Sequence, residues 1–143
     1  MATFVKYQSG ILNIVTGVMK LHAAGDTFKA LLSNAAPNVA THTIRGDVTE
    51  LGTANGYTSG GIDIQNDCTA SGGTATMTAV DVVWTSVTGN MGPFRYFEIY
   101  DDTPTSPVDP MFAYVDYGTN VTLDCTAGET FTGDFGASLA TFA

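Results

Sequence analysis

The chain has 143 residues, the size of one typical domain, so residues 1–143 are expected to fold around a single hydrophobic core. Only 13% of the residues are charged, and 14 acidic against 5 basic residues give a formal net charge of −9, which argues against binding to nucleic acid or to anionic membranes. A surface this poor in charge is instead typical of a protein held in an assembly.

The first 25 residues differ from the rest of the chain. Their apolar residues from Ile11 to Leu21 have helical spacing, but several are β-branched, and the run is too short and too interrupted to span a membrane. A single basic residue, Lys6, precedes the run, which is unlike a secretion signal. We therefore predict that residues 1–25 form an arm or a short helix that packs on a partner, in a protein made and used without secretion.

Short apolar or alternating runs fill the chain from Asp26 onward, and Gly, Asn, Asp, Ser and Pro separate them. This pattern is typical of antiparallel strands joined by turns. The predicted strands span residues 27–32, 74–79, 80–84, 94–100, 111–117, 121–125, 130–135 and 138–142. The predicted breaks are loops at 35–43 and 101–110, a glycine-rich turn at 55–61, the Gly92-Pro93 pair, and turns at 118–120 and 127–129.

Eight to ten short strands in one compact body require packed or closed sheets, because only these bury so many inner faces. The sequence therefore predicts an all-β fold with a β-sandwich or jelly-roll-like architecture. Short helical segments are expected near the N-terminus and within residues 44–51, where Ile44, Val48 and Leu51 fall at spacings of four and three. Tyr57 is the one aromatic residue of the glycine-rich turn and is expected to anchor it.

Groups that could form a catalytic or metal site are scarce. The histidines, His22 and His42, have no cysteine or glutamate at metal-ligand spacing, and Cys68 and Cys125 are expected to be free thiols rather than a disulfide. Four aspartates could offer a calcium or paired-carboxylate site, although a solvated proline-rich loop explains them without a ligand: Asp101, Asp102, Asp109 and Asp116. We predict no catalytic residue, no metal site, no bound cofactor and no enzymatic activity.

The aromatic residues of the second half allow two interpretations. Their rings could form a platform that stacks on sugars, or they could fill the core and a subunit interface, which the alternation within strands favours. The set comprises Trp84, Phe94, Tyr96, Phe97, Tyr100, Phe112, Tyr114 and Tyr117.

Several segments of the chain also carry a family resemblance. They are the runs at residues 26–37 (DTFKALLSNAAP), 47–51 (DVTEL), 55–61 (NGYTSGG), 92–96 (GPFRY), 116–118 (DYG) and 127–131 (AGETF). Together they resemble small structural proteins of tailed bacteriophages, over most of the chain from Asp26 onward.

This resemblance implies a virion protein, assembled in the bacterial cytoplasm, with a β-sandwich that binds the outside of a capsid shell. Such a cement or decoration protein bridges neighbouring subunits of the major capsid protein and stabilises the head. A tail- or fibre-associated protein, with a glycan-binding attachment role, is the alternative. Low charge and closed symmetry further favour contact with copies of itself, as a homodimer or homotrimer.

Contact residues are expected among apolar side chains outside the presumed core. The candidates are Phe4, Tyr7, Ile11 and Tyr57. Because flexible termini often become ordered on a partner, the sequence also predicts that deleting residues 1–10 weakens incorporation into particles without unfolding the domain.

Overall fold

A computed structural model describes residues 3–143, which form an all-β protein with 45% strand and 8% helix; Met1 and Ala2 lie outside the described residues. The elements in chain order are β1 (Thr3–Lys6), α1 (Gln8–Val15), β2 (Phe28–Ser33), a 3-10 helix (Arg45–Asp47), β3 (Ile62–Asp63), β4 (Asp67–Ser71), β5 (Thr74–Thr78), β6 (Val82–Thr85), β7 (Met91–Asp101), β8 (Met111–Leu123), β9 (Thr130–Gly133) and β10 (Ala140–Phe142).

The strands form three antiparallel sheets. The largest has five strands in the order β1-β8-β7-β2-β3, the second has the order β10-β5-β4, and β6 pairs with β9 in the third. Buried side chains from all three sheets meet in one large hydrophobic cluster, whose members include Phe28, Met77, Trp84, Phe97 and Phe131. The arrangement is β-sandwich-like, and the all-β prediction is confirmed.

The five-stranded sheet is covered on both faces. Successive residues of β2 point to opposite faces, so Ala30 joins the large cluster whereas Leu31 joins a smaller cluster with Tyr7. The loop after β2 packs on this smaller cluster through Val39. Because both faces are covered, β7 is buried continuously over residues 96–101, as its aromatic-rich sequence predicted.

Several predicted elements agree with the fold. The strands predicted at 27–32 and 74–79 correspond to β2 and β5, and the helical turn predicted within 44–51 is the 3-10 helix. Other boundaries differ. Gly92-Pro93 lies inside β7, where a pairing irregularity with β8 accommodates a residue without an amide hydrogen. The strand predicted at 80–84 begins two residues later, as β6, and Val80 is exposed.

The turn predicted at 118–120 is part of one long strand, β8. Tyr96 of β7 pairs with Asp116 of β8. Phe94 of β7 then pairs with Val121, so four residues, 117–120, stand opposite a single residue of β7. We call this segment the β8 bulge (residues 117–120). Its turn-forming residues bend the strand outward without reversing the chain.

Residues 3–15 belong to the fold and are not a free arm. Strand β1 pairs along β8, and α1 follows it directly. Between them, Tyr7 is fully buried, and its hydroxyl donates a 2.5 Å hydrogen bond to the buried carboxylate of Glu98. The expectation that residues 1–10 can be deleted without unfolding is therefore corrected, because the deletion would remove a strand and a core side chain.

A polar network around Glu50 fixes the loop between β2 and β3. Oε1 of Glu50 accepts hydrogen bonds from the Tyr57 hydroxyl at 2.6 Å and from the Gly60 N–H at 2.5 Å. Oε2 accepts hydrogen bonds from the Arg45 guanidinium at 2.7 Å and from the Ser59 hydroxyl at 3.0 Å. Tyr57 is buried at the centre of this loop, which confirms that it anchors the glycine-rich turn.

The Glu50 network makes stability depend on pH. Burial alone would raise the pKa of Glu50, but hydrogen bonds from Tyr57, Arg45 and Gly60 outweigh it and hold the pKa below its ordinary value of 4.5. A carboxylate whose pKa is lower in the folded state than in the unfolded state stabilises the fold at pH values above its unfolded-state pKa. This stability is lost as pH falls through the folded-state pKa. We expect Glu50→Gln to cost about 1–3 kcal/mol at pH 7, because the buried Tyr57 and the half-buried Arg45 and Gly60 lose a charged acceptor.

Urea unfolding at pH 7 and at pH 3 measures this effect. The difference between wild type and Glu50→Gln should shrink as pH falls from 7 toward 3, because protonation removes the charge of the wild-type carboxylate. Glu129→Gln is the control, since Glu129 is an exposed residue at a surface turn. An unchanged difference at the two pH values would contradict the prediction.

Candidate interaction surface

Helix α1 lies directly on the backbone of β8. Gly10 is buried at this contact, where a Cβ atom would come within 2.7 Å of the Phe112 carbonyl oxygen. The N–H of Tyr7 donates to the same carbonyl oxygen at 2.9 Å, and the N–H of Gln8 donates to the Val39 carbonyl oxygen at 3.2 Å. These bonds satisfy amides at the start of the helix, which otherwise lack intrahelical partners, and they fix its position.

Apolar side chains project from two sides of α1, and the fold covers only one of them. Ile14 packs against the large hydrophobic cluster. Ile11, Leu12 and Val15 project outward and are 37%, 61% and 79% exposed, respectively. We call these three residues the α1 patch. Residues 7–19 contain no charged side chain, so nothing on this segment opposes an apolar contact.

The α1 patch is unusual for a helix at a protein surface. Such helices normally turn their polar residues outward, and a helix that is apolar on all sides is normally buried. Contiguous apolar groups on an exposed surface mark sites of protein contact. The patch is therefore the strongest candidate for a surface that another protein covers.

Comparisons with known proteins do not identify a relative. No protein-family model, no curated protein and no solved structure matches the chain. The resemblance to bacteriophage structural proteins stays a prediction, and the function has to be inferred from the surface. Across residues 3–143, no helix has the length and hydropathy needed to cross a membrane.

Of the four residues predicted to contact a partner, one lies on the α1 patch, namely Ile11. Phe4 is half-buried, and its ring packs edge-on against Phe112 with 6.4 Å between the ring centroids. Tyr7 and Tyr57 are 0% and 2% exposed. The fold corrects the expectation that Tyr7 lies outside the core, and it places Tyr57 in the core as well. Each ring packs in a hydrophobic cluster, and each hydroxyl donates to a glutamate, which is the buried Glu98 for Tyr7 and the half-buried Glu50 for Tyr57.

The sequence analysis treated the apolar residues from Ile11 to Leu21 as one helical run, and it did not identify Leu12 and Val15 as contact residues. The signal that could have separated the two sides is Gly10, because a glycine inside a helix often permits close contact with another backbone. Gly10 and Ile14 are one helical turn apart and define the inward side. Leu12 and Val15 then necessarily lie on the outward side.

Glu98 forms a buried polar centre beneath the N-terminal segment. Burial raises the pKa of Glu98, against the effect of the hydrogen bond from Tyr7. Burial, together with the neighbouring Glu98 carboxyl, also raises the pKa of the Tyr7 hydroxyl. Both groups lie inside the protein, and their arrangement holds the segment before α1 in place.

The aromatic residues considered for a sugar platform are mostly inside the protein. Six of them are buried: Trp84, Phe94, Tyr96, Phe97, Tyr100 and Phe112. Tyr114 is half-buried, and Tyr117 is exposed in the β8 bulge, where its ring packs edge-on against Phe131 at 5.3 Å. The six buried rings fill the core and are not available to stack on a sugar.

The four aspartates considered for a calcium site are held apart. Three of them face separate cations, in the pairs Asp102–Lys29 at 2.6 Å, Asp109–Arg45 at 3.9 Å and Asp116–Arg95 at 2.7 Å. The fourth, Asp101, is not in the exposed loop but is the buried last residue of β7. Within residues 3–143, no three His, Cys, Asp or Glu side chains converge to hold a metal ion. Cys68 and Cys125 are half-buried free thiols.

Proposed function

We propose that this protein is a structural subunit that docks on other proteins through the α1 patch, as a capsid cement or decoration protein of a tailed bacteriophage. The observation that carries the proposal is the exposed, uncharged apolar face formed by Ile11, Leu12 and Val15. The family resemblance supports the virion as the setting. The proposal assigns the protein no catalytic group.

The major capsid protein is the proposed partner on the outside of the shell. Apolar contact through a surface of only three side chains is weak for one copy, because stable interfaces bury about 800 Å² per partner. Repetition over a symmetric lattice adds many weak contacts into tight overall attachment. Preferential binding to one state of the shell would stabilise that state by mass action.

Copy number tests the proposal against the tail-associated alternative. Quantitative mass spectrometry of virions that contain the chain should give a fixed ratio of the chain to the major capsid protein. A few to a few dozen copies per virion would instead assign it to the tail or fibre. Complete absence of the chain from purified virions would overturn both assignments.

A paired substitution tests the α1 patch itself. Leu12→Asp with Val15→Asp should reduce occupancy on capsid particles at least about tenfold, because burying two unpaired carboxylates at the contact opposes docking. The melting temperature should change little, since both side chains are largely exposed in the isolated chain. Co-sedimentation with capsid particles that lack the chain measures the occupancy.

Val80→Asp with Val108→Asp is the matched control for this experiment. Val80 and Val108 are each 53% exposed, in the segment before β6 and in the loop between β7 and β8, so this variant adds the same two carboxylates outside α1. It should sediment with particles as wild type does. Equal binding by the α1 variant and the control would show that α1 does not form the contact.

A further inference from the structure

Two buried carboxyl groups, Asp26 and Asp101, lie together where the segment before β2 meets the end of β7. Asp26 is 6% exposed and Asp101 is 0% exposed. Neither forms an ion pair with a cation among residues 3–143. Ionised carboxylates are very rarely buried without a counter-charge, so this pair needs another source of stabilisation.

Backbone amides account for part of that stabilisation. Oδ2 of Asp26 accepts a hydrogen bond from the Lys20 N–H at 2.8 Å, and Oδ1 of Asp101 accepts one from the Thr103 N–H at 3.1 Å. Oδ2 of Asp101 is buried and has no partner as long as both groups are ionised. The neighbouring acceptor is the Asp26 carboxyl. A hydrogen bond between two carboxyl groups requires that one of them carry a proton.

A proton suits this site better than a metal ion. Calcium takes six to eight oxygen ligands, and magnesium takes six. Only two acidic side chains meet here, and two of their oxygens are already occupied by amide donors.

We propose that Asp101 carries a proton and donates a hydrogen bond to the Asp26 carboxyl, which forms an alkali-sensitive latch that ties the segment of residues 20–27 to the end of β7. The neighbouring backbone carries the same connection, because the Asp102 N–H donates to the Thr27 carbonyl oxygen at 2.8 Å. Loss of the proton places two negative charges side by side in the interior, which repel each other.

The other charged groups near the latch do not neutralise it. Asp102 adds negative charge from the residue after β7, and Lys29 on β2 is engaged by Asp102 at 2.6 Å. Asp63 lines a surface cavity of about 380 Å³ together with Asp26. Burial raises the pKa of Asp101 to about 8. The hydrogen bond from the Thr103 amide opposes this rise, and the neighbouring Asp26 and Asp102 add to it.

The latch predicts how stability changes with pH. Between the ordinary aspartate pKa of 3.8 and about 8, the folded protein binds one more proton at Asp101 than the unfolded chain does. Stability therefore falls as pH rises through this range, and the folding equilibrium constant decreases by up to about tenfold per pH unit. Above the folded-state pKa of Asp101, the pair causes no further change in stability. The segment of residues 20–27 is then held less firmly against β7.

Infrared spectroscopy of the wild-type protein tests the proton directly. A carbonyl stretching band from a protonated carboxylic acid should be present at pH 7 and should disappear as pH rises through about 8. Asp101→Asn should lack the part of this band that disappears near pH 8. A wild-type spectrum without a protonated acid at pH 7 would overturn the proposal, and this measurement does not depend on whether the variant folds.

Urea unfolding between pH 5 and pH 9 provides the second measurement. Asp101→Asn, whose amide can donate to Asp26 without ionising, should lose the pH-dependent fall in stability that wild type shows. Asp134→Asn is the control, because Asp134 is an exposed aspartate between β9 and β10, and it should keep the wild-type slope. Equal slopes in wild type and Asp101→Asn would refute the latch. Stabilisation of wild type by added calcium, absent in Asp101→Asn, would also refute it by showing that a cation occupies the pair.

Discussion

Gly61→Ala should destabilise the protein by about 3–5 kcal/mol, because the added methyl combines overpacking against the backbone with an unfavourable conformation. A Cβ atom at this position would overlap the carbonyl oxygen of Ala30 in β2. Gly61 also has a φ of +73°, in the left-handed region that alanine disfavours. Backbone atoms of β2 cannot move aside without disturbing the pairing with β3 and β7.

Gly17→Ala separates the two contributions. Gly17 has a nearly identical φ of +78°, but no atom lies within 4 Å of its Cβ position. The control should therefore lose only about 1 kcal/mol, from conformation alone. Urea unfolding of both variants gives the comparison, and similar losses at the two positions would show that Gly61 is not crowded by β2.

Tyr7→Ala should cost about 3–5 kcal/mol, the range for truncation of a buried aromatic side chain. The ring of Tyr7 packs with Leu31, Tyr100 and Met111, and its hydroxyl is a hydrogen-bond donor to the buried Glu98. Removing the side chain leaves a cavity beneath α1 and an acid without its partner. The variant should therefore unfold at a much lower urea concentration than wild type.

Two neighbouring changes calibrate this result. Tyr7→Phe keeps the ring and removes only the hydroxyl, so a loss of about 1–3 kcal/mol is expected. Lys6→Ala removes a partly exposed cation that lies 4.9 Å from the centre of the Phe142 ring, and it should cost at most about 1 kcal/mol. If Tyr7→Ala lost no more than Lys6→Ala, the N-terminal segment would be peripheral to the core after all.

Elements formed by nearby residues were predictable from the sequence. The apolar run of residues 27–32, closed by polar residues, predicted β2, and the alternation of residues 74–79 predicted β5. The glycine-rich turn at 55–61 needs Tyr57 as an anchor, since the other residues there are small and polar. In each case the deciding contacts follow from a periodicity of two or from one large residue among glycines.

Features that depend on distant contacts were not predictable. The turn residues of the β8 bulge are compatible with either a chain reversal or a bulge, and only the pairing with β7 distinguishes them. Asp26 and Asp101 are far apart in sequence, so nothing local shows that they meet. The outward side of α1 is likewise set by the contact between Gly10 and the β8 backbone.

The β8 bulge has a practical consequence for engineering. Its exposed residues stand opposite a single residue of β7, between the pairs Tyr96–Asp116 and Phe94–Val121. Extra residues placed within 118–120 would extend an existing loop outward and leave the strand register unchanged. Since loops tolerate insertion where their backbone makes few hydrogen bonds, this is the position at which the chain can carry a foreign peptide for display.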